Sequence, residues 1–147
     1  MRHAESSTID GVRDHDLPIS DNGRITCKNI AQELHNLGWS PDIVVSSNAL
    51  RSKQTFEALK SVIAQLGDAD LHFLGSLYTL SQLDGQTLSH LGNLISQEAS
   101  CKVDCILCLG HNKGWEEAAS TLAVRQDEKT SCGCSFVLGQ LIPFIII

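Results

Sequence analysis

Basic residues are scarce in this chain: 11 Lys and Arg stand against 17 Asp and Glu, a formal net charge of −6. That deficit argues against a nucleic-acid partner, because phosphate backbones are held by clustered cations. It leaves room for a small phosphorylated ligand, since two arginines inside a pocket can outweigh the global charge. Long apolar runs are missing as well. The nearest is the tail Leu141-Ile142-Pro143-Phe144-Ile145-Ile146-Ile147, too short to span a bilayer, so no membrane partner is expected. The six cysteines (Cys27, Cys101, Cys105, Cys108, Cys132 and Cys134) lack the even spacing of a small secreted scaffold, and no signal-peptide pattern precedes them. They read as reduced thiols, and the chain as written reads as cytoplasmic. Repeats and low-complexity stretches are absent. What is there is 147 residues, 42% hydrophobic and 19% charged, enough for a single domain over 1–147 with one good core.

Along the chain, residues 10–20 (DGVRDHDLPIS) read as loop. Ser20 or Asp21 can cap a helix from about Asn22 to Leu37, with Ile30, Leu34 and Leu37 at i, i+4 and i+7 and Cys27 and Ala31 nearby. Gly38 is placed to end it. Asp42-Ile43-Val44-Val45-Ser46-Ser47 is a β-branched run without alternation, as in a parallel strand covered on both faces. A helix from Ala49 to about Leu66 follows, with Phe56, Leu59, Ile63 and Leu66 on one side. Leu71 to Leu74 is a short strand, Gly75 to Gln86 a loop, and Thr87 caps a helix over about Leu88 to Ala99. Asp104 to Leu109 is a second buried strand, broken by Gly110, and Gly114 to about Val124 is helical. Strands alternating with helices predict an α/β fold with a mainly parallel sheet.

Three polar clusters stand out: Arg2-His3 at the start, Ser46 to Thr55 after the first strand, and Gly110-His111-Asn112 after the later one. Ligands in open α/β sheets bind beyond the carboxyl ends of the strands, so these clusters should meet. Arginine forks suit phosphoryl oxygens, and the turns before Arg51 and at Asn112 lead into helices, whose first N–H groups favour anions. A histidine beside such a group can attack phosphorus and form a phosphohistidine. A second, if protonated, can neutralise charge on the equatorial oxygens. Singly, each of these residues is more often a structural or solvated one; their order and company carry the reading. His15, His35, His72 and His90 read as surface or packing histidines, and Lys53 and Lys113 as solvated helix residues.

With these residues in place, the chain resembles the histidine phosphatase (phosphoglycerate mutase-like) superfamily. Arg2-His3, Ser47-x3-Arg51 with Thr55 behind it, and Gly110-His111-Asn112 carry the likeness. Asp14-His15-Asp16-Leu17-Pro18-Ile19-Ser20 and the run from Gly110 to Glu117 look like its small SixA-like phosphohistidine phosphatase branch. The resemblance covers about residues 2–125, with 126–147 a divergent tail. It implies a three-layer α/β/α sandwich and His3 as nucleophile, with Arg2, Arg51 and His111 forming the phosphate pocket and Asn112 beside it. It implies no metal and no organic cofactor. The partner would be a phosphorylated small molecule or a phosphohistidine protein.

The departures from that pattern are expectations too. Almost nothing precedes Arg2, so the first central strand is expected to be lacking, with His3 on a free N-terminus instead of a sheet. Such a loss should cost several kcal/mol, by analogy with large core deletions, against a total of roughly 5–15. A truncated, inactive phosphate-binding homologue is therefore the alternative, and an organelle such as the plastid the alternative location if a leader was lost. Ala4 stands where many members have Gly, and Leu17 where the branch has Arg. The general acid is left open among Asp84, Asp14, Asp16 and Glu5. A third class, a cysteine-based metal module, needs Cys105 and Cys108 on one side, yet three residues apart in a strand they face opposite ways.

Overall fold

The computed structural model describes residues 1–79, 87–98, 103, 105–111 and 115. Helix α1, Asp21–Asn36, starts where Ser20 Oγ accepts the Gly23 N–H at 2.9 Å. It stops where Gly38 takes φ +70° and the Trp39 N–H reaches back to the Leu34 carbonyl. Its inward stripe is Cys27, Ala31 and Leu34, with Ile30 partly buried. Leu37, expected on that stripe, caps the helix at 71% exposure: the last turn has already left the core. Gly23 is required by packing, because a Cβ there would lie 2.5 Å from the Glu5 carbonyl oxygen.

Strand β1, Ile43–Ser47, is buried at every position. It is central, pairing in parallel with β2, Asp70–Leu74, on one side and β3, Ile106–Leu109, on the other. Asp42 fastens the start of all three: its carbonyl accepts the Asp70 N–H, its N–H donates to the Cys105 carbonyl, and its carboxylate accepts the Cys105 N–H. Val44 faces a cluster containing Ala31, Leu34, Phe56, Leu59, Ile63, Leu66, Leu107 and Leu109. Ile43 and Val45 face a second cluster with Leu77, Leu91 and Trp115. Helices α1 and α2 (Leu50–Lys60) therefore cover one face, while α4 (Thr87–Glu98) covers the other. This is the α/β/α layering that the family resemblance implied, around the parallel sheet that the alternation of elements predicted.

Three differences are instructive. The second helix ends at Lys60, not near Leu66, and a 3₁₀ turn over Ala64–Gly67 follows. Ile63 leaves the helical region at φ −99°, ψ 88°, consistent with the cost of β-branched Val62-Ile63 in a helix. Ile63 and Leu66 are nevertheless buried, so the apolar periodicity marked burial correctly while overrunning the helix. The stretch expected as loop after Gly75 opens with a one-turn helix, α3, Ser76–Thr79.

The third difference concerns the start of the chain. The sheet has three strands among the described residues, yet residues 1–3 are not loose. The Met1 ammonium donates to the Cys108 carbonyl at 2.7 Å, the Gly110 N–H to Met1, and the His3 N–H to Gly110 at 2.9 Å. Arg2 and Gly110 form a parallel bridge. His3 is thus held by sheet-type hydrogen bonding beyond β3, contrary to the expectation of a free tether. The expected helix beyond Gly114, apart from Trp115, and the divergent tail lie outside the described residues.

Candidate active site

The carboxyl ends of β1 and β3 bring His3, Arg51 and His111 together, each 6–7% exposed. Arg51 projects from the first turn of α2, immediately after β1. Its Nε–H donates to His3 Nε2 at 3.0 Å, and an Nη2 N–H points at His111 Nδ1 at 3.3 Å. His3 Nδ1 lies 2.6 Å from the Ala4 carbonyl, an acceptor, so Nδ1 carries the proton and the Nε2 lone pair faces Arg51. For His111 the roles reverse: Nδ1 accepts and Nε2–H donates to Ser47 Oγ at 2.8 Å. The two imidazoles stand 5.0 Å apart between centroids.

Thr55 locks the nucleophile candidate's backbone in place. One turn below Arg51, its Oγ1 donates to the Arg51 carbonyl at 2.7 Å and accepts the Ala4 N–H at 2.9 Å. Gly110 is needed at the end of β3 because the Trp115 ring lies against it; a Cβ would come within 2.8 Å of that ring. Ser47 Oγ also accepts the Ala49 N–H at 3.3 Å, shaping the turn into α2.

Burial pushes His3 down to about 4, with the Arg51 and Arg2 charges in the same direction and the Ala4 hydrogen bond opposing. His111 is pushed down to about 3, again chiefly by burial, then by His3 and Arg51. Both rings are therefore neutral near pH 7. That suits His3, whose Nε2 must carry a lone pair and not a proton if it is to attack. For His111, the condition set for a charge-neutralising second histidine, that it be protonated, is opposed by this burial.

Arg2 lines an open cleft of about 390 Å³ together with His3, Glu5, Ser6, Asn22, Gly23 and Thr26. Its Nε is buried and has no hydrogen-bond partner among the described residues. Asn112, Lys113 and Asp84 lie outside the described residues. Glu5 bonds Asn22 at 2.8 Å in the cleft, and Asp16 pairs with Arg13 and His15.

Tyr78 and His15 were not expected in this place, and Asp14 only as one of four candidates for the general acid. Asp14 accepts from Arg51 Nη2 at 2.8 Å and from the Tyr78 hydroxyl at 2.9 Å; the Arg51 hydrogen bond and then that of Tyr78 hold its carboxyl below the usual range. Tyr78 stands edge-on to both His111 and His15, at 5.2 and 5.0 Å. His15 bonds Asp16 at 3.0 Å and Asn48 at 3.1 Å, two acceptors that draw its pKa up. Asp14 and His15 were visible in the Asp-His-Asp run; nothing local marked Tyr78.

Cys27 and Cys108 are free thiols, and among the described residues no three His, Cys, Asp or Glu side chains are grouped to hold a metal ion. Among the described residues, no helix is long and apolar enough to cross a membrane.

Comparison with known proteins gives a consistent picture. The family model described as histidine phosphatase superfamily (branch 1) matches residues 1–71. A chloroplastic protein of Arabidopsis thaliana, itself uncharacterised, is 39% identical over 138 residues, 93% of this chain. The chain spans 63% of that relative's length. A structure from Agrobacterium tumefaciens, described as a SixA phosphohistidine phosphatase, superposes with a TM-score of 0.70 at 23% identity, covering 85% of this chain and 75% of the other. A second such structure, from Nakamurella multipartitia, gives 0.63 at 27% identity, covering 90% and 71%.

Proposed function

We propose that this chain, which belongs to the histidine phosphatase superfamily, hydrolyses a phosphomonoester or phosphohistidine through a covalent intermediate on His3. The observation that carries the reading is the tautomer of His3: with Nδ1–H committed to Ala4, the Nε2 lone pair lies beside a buried guanidinium. Nε2 attacks phosphorus, and the bond from phosphorus to the leaving oxygen or nitrogen breaks. The leaving group keeps that electron pair and takes up a proton. Water then attacks the phosphohistidine and releases a proton to solvent, balancing the one the leaving group took up; the P–N bond returns its pair to Nε2, and orthophosphate departs.

Arg2 and Arg51 would clamp the phosphoryl oxygens, with Asn112 beside them. His111 would donate to the oxygens and gain a proton as negative charge arrives, since an adjacent anion raises its depressed pKa. The SixA phosphohistidine phosphatases that share the fold support a phosphorylated protein or small molecule as substrate. The chloroplastic relative supports a plastid location over the cytoplasm.

The test is phosphate release from an aryl phosphate in EDTA, comparing the chain with His3→Ala. Activity that survives the chelator and drops at least a thousand-fold with the substitution is expected, since removing a covalent nucleophile costs on that order. Equal rates in both proteins would remove His3 from the mechanism. Orthophosphate binding without turnover by either would favour the phosphate-binding homologue. Activity lost to EDTA would favour a metal site instead.

A further inference from the structure

We propose that Asp14 is a built-in occupant of the phosphate site, so that a substrate phosphoryl group must displace it from Arg51 before reaction; this rests on the phosphate-pocket reading above. Two oxygens of this one residue face the Arg51 fork. The Asp14 carbonyl accepts from Nη1, and Oδ2 accepts from Nη2 at 2.8 Å. A fork gripping two oxygens at once is how a guanidinium holds phosphate. Nε–H and the second Nη2 N–H point to His3 and His111, so four of the five Arg51 donors are engaged within the chain. Tyr78 reinforces the arrangement by donating its hydroxyl to the same Oδ2 at 2.9 Å, with its ring 5.9 Å from the guanidinium carbon.

The occupant can leave because it comes from the solvent side. The Asp14 side chain is 61% exposed while that of Arg51 is 8% exposed. Asp14 sits on a single 3₁₀ turn, Asp14–Asp16. The base of the loop is tied down: Ser7 N–H donates to the Pro18 carbonyl, Ser20 N–H to the Glu5 carbonyl, and Ser6 bridges Ile19. Movement would fall between those ties, where Gly11 sits at φ +76° in a conformation open to glycine. The outer tether is the His15 hydrogen bond to Asn48. A phosphoryl dianion carries more charge and more acceptor oxygens than one carboxylate, so it can replace Asp14 on the same fork. The competing carboxylate lowers the affinity for every anion that enters.

Orthophosphate binding by the full 147-residue chain, measured by titration calorimetry, tests this. Asp14→Asn keeps the shape and removes the charge. It should bind orthophosphate about two- to five-fold tighter than the parent, the range set by an ion pair with one exposed partner. Tyr78→Phe, which loosens Asp14 without touching its charge, should tighten binding by a smaller factor. Unchanged or weaker binding in Asp14→Asn, with far-UV circular dichroism intact, overturns the proposal; Asp14→Ala provides the same comparison should the Asn variant fold poorly. Arg51→Ala in the Asp14→Asn background separates the two readings. Loss of orthophosphate binding there keeps the Arg51 pocket, whereas retained binding removes the pocket and the occupant together.

Discussion

At the scale of single residues, the site is built on two buried histidines whose burial disfavours the charged form in the free chain. His3 at about 4 and His111 at about 3 lie well below the ordinary value of 6.5. Because kcat/KM follows the ionisation of the free enzyme, its acid limb should fall near pH 4 and not near 6.5; a pH–rate profile of the parent chain checks this. The same shifts set a stability trend. Between pH 6.5 and about 4 the unfolded chain binds protons at these rings that the folded chain does not, so stability is full above 6.5 and is lost as pH falls through that window. Urea midpoints at pH 7 and pH 5 should differ in that sense. Thr55 is the other decisive residue. Thr55→Val keeps the volume but strands the fully buried Ala4 N–H, which should cost about 1–3 kcal/mol. It should also reduce kcat/KM by loosening the His3 backbone, as paired unfolding and kinetic measurements would reveal.

At the scale of elements, the entry into α1 is the tightest contact between a helix and the start of the chain. Gly23→Ala would place a methyl 2.5 Å from the Glu5 carbonyl, where backbone and not a yielding side chain is met. We expect a loss of about 1–3 kcal/mol, the ordinary cost of overpacking, read as a lower urea midpoint. Much at this scale was legible. Ser20 as cap, Gly38 as terminator and the unalternating Ile43-Val44-Val45 run each carry a local physical signature, and the structure has all three. The end of α2 was not legible, because Ile63 and Leu66 stay in the core after the helix stops and so keep its periodicity. Nor was Tyr78, whose place beside His111 depends on a one-turn helix packed against β1. The pairing of residues 1–3 with β3 was hidden for another reason. Those bonds are made by backbone groups, which leave no trace in side-chain pattern.

At the scale of the whole molecule, one helix joins the core to the chemistry. Helix α2 carries Arg51 and Thr55 toward the site and Phe56 and Leu59 into the cluster beneath it. Core damage and ligand binding should therefore meet in a single unfolding equilibrium. Leu59 is fully buried, and Leu59→Ala should cost about 2–5 kcal/mol, a large part of a total of roughly 5–15. A ligand that binds only the folded chain offsets part of such a loss, by about 2.7 kcal/mol at a hundred-fold excess over Kd. Orthophosphate at that excess should thus raise the urea midpoint of Leu59→Ala by about the same free energy as in the parent, because Leu59 touches the core and not the ligand. In Arg51→Ala the added phosphate should do nothing. A rescue missing from Leu59→Ala but present in the parent would mean that the core substitution disorders the start of α2, and that the phosphate pocket is formed only when the layer beneath it is fully packed.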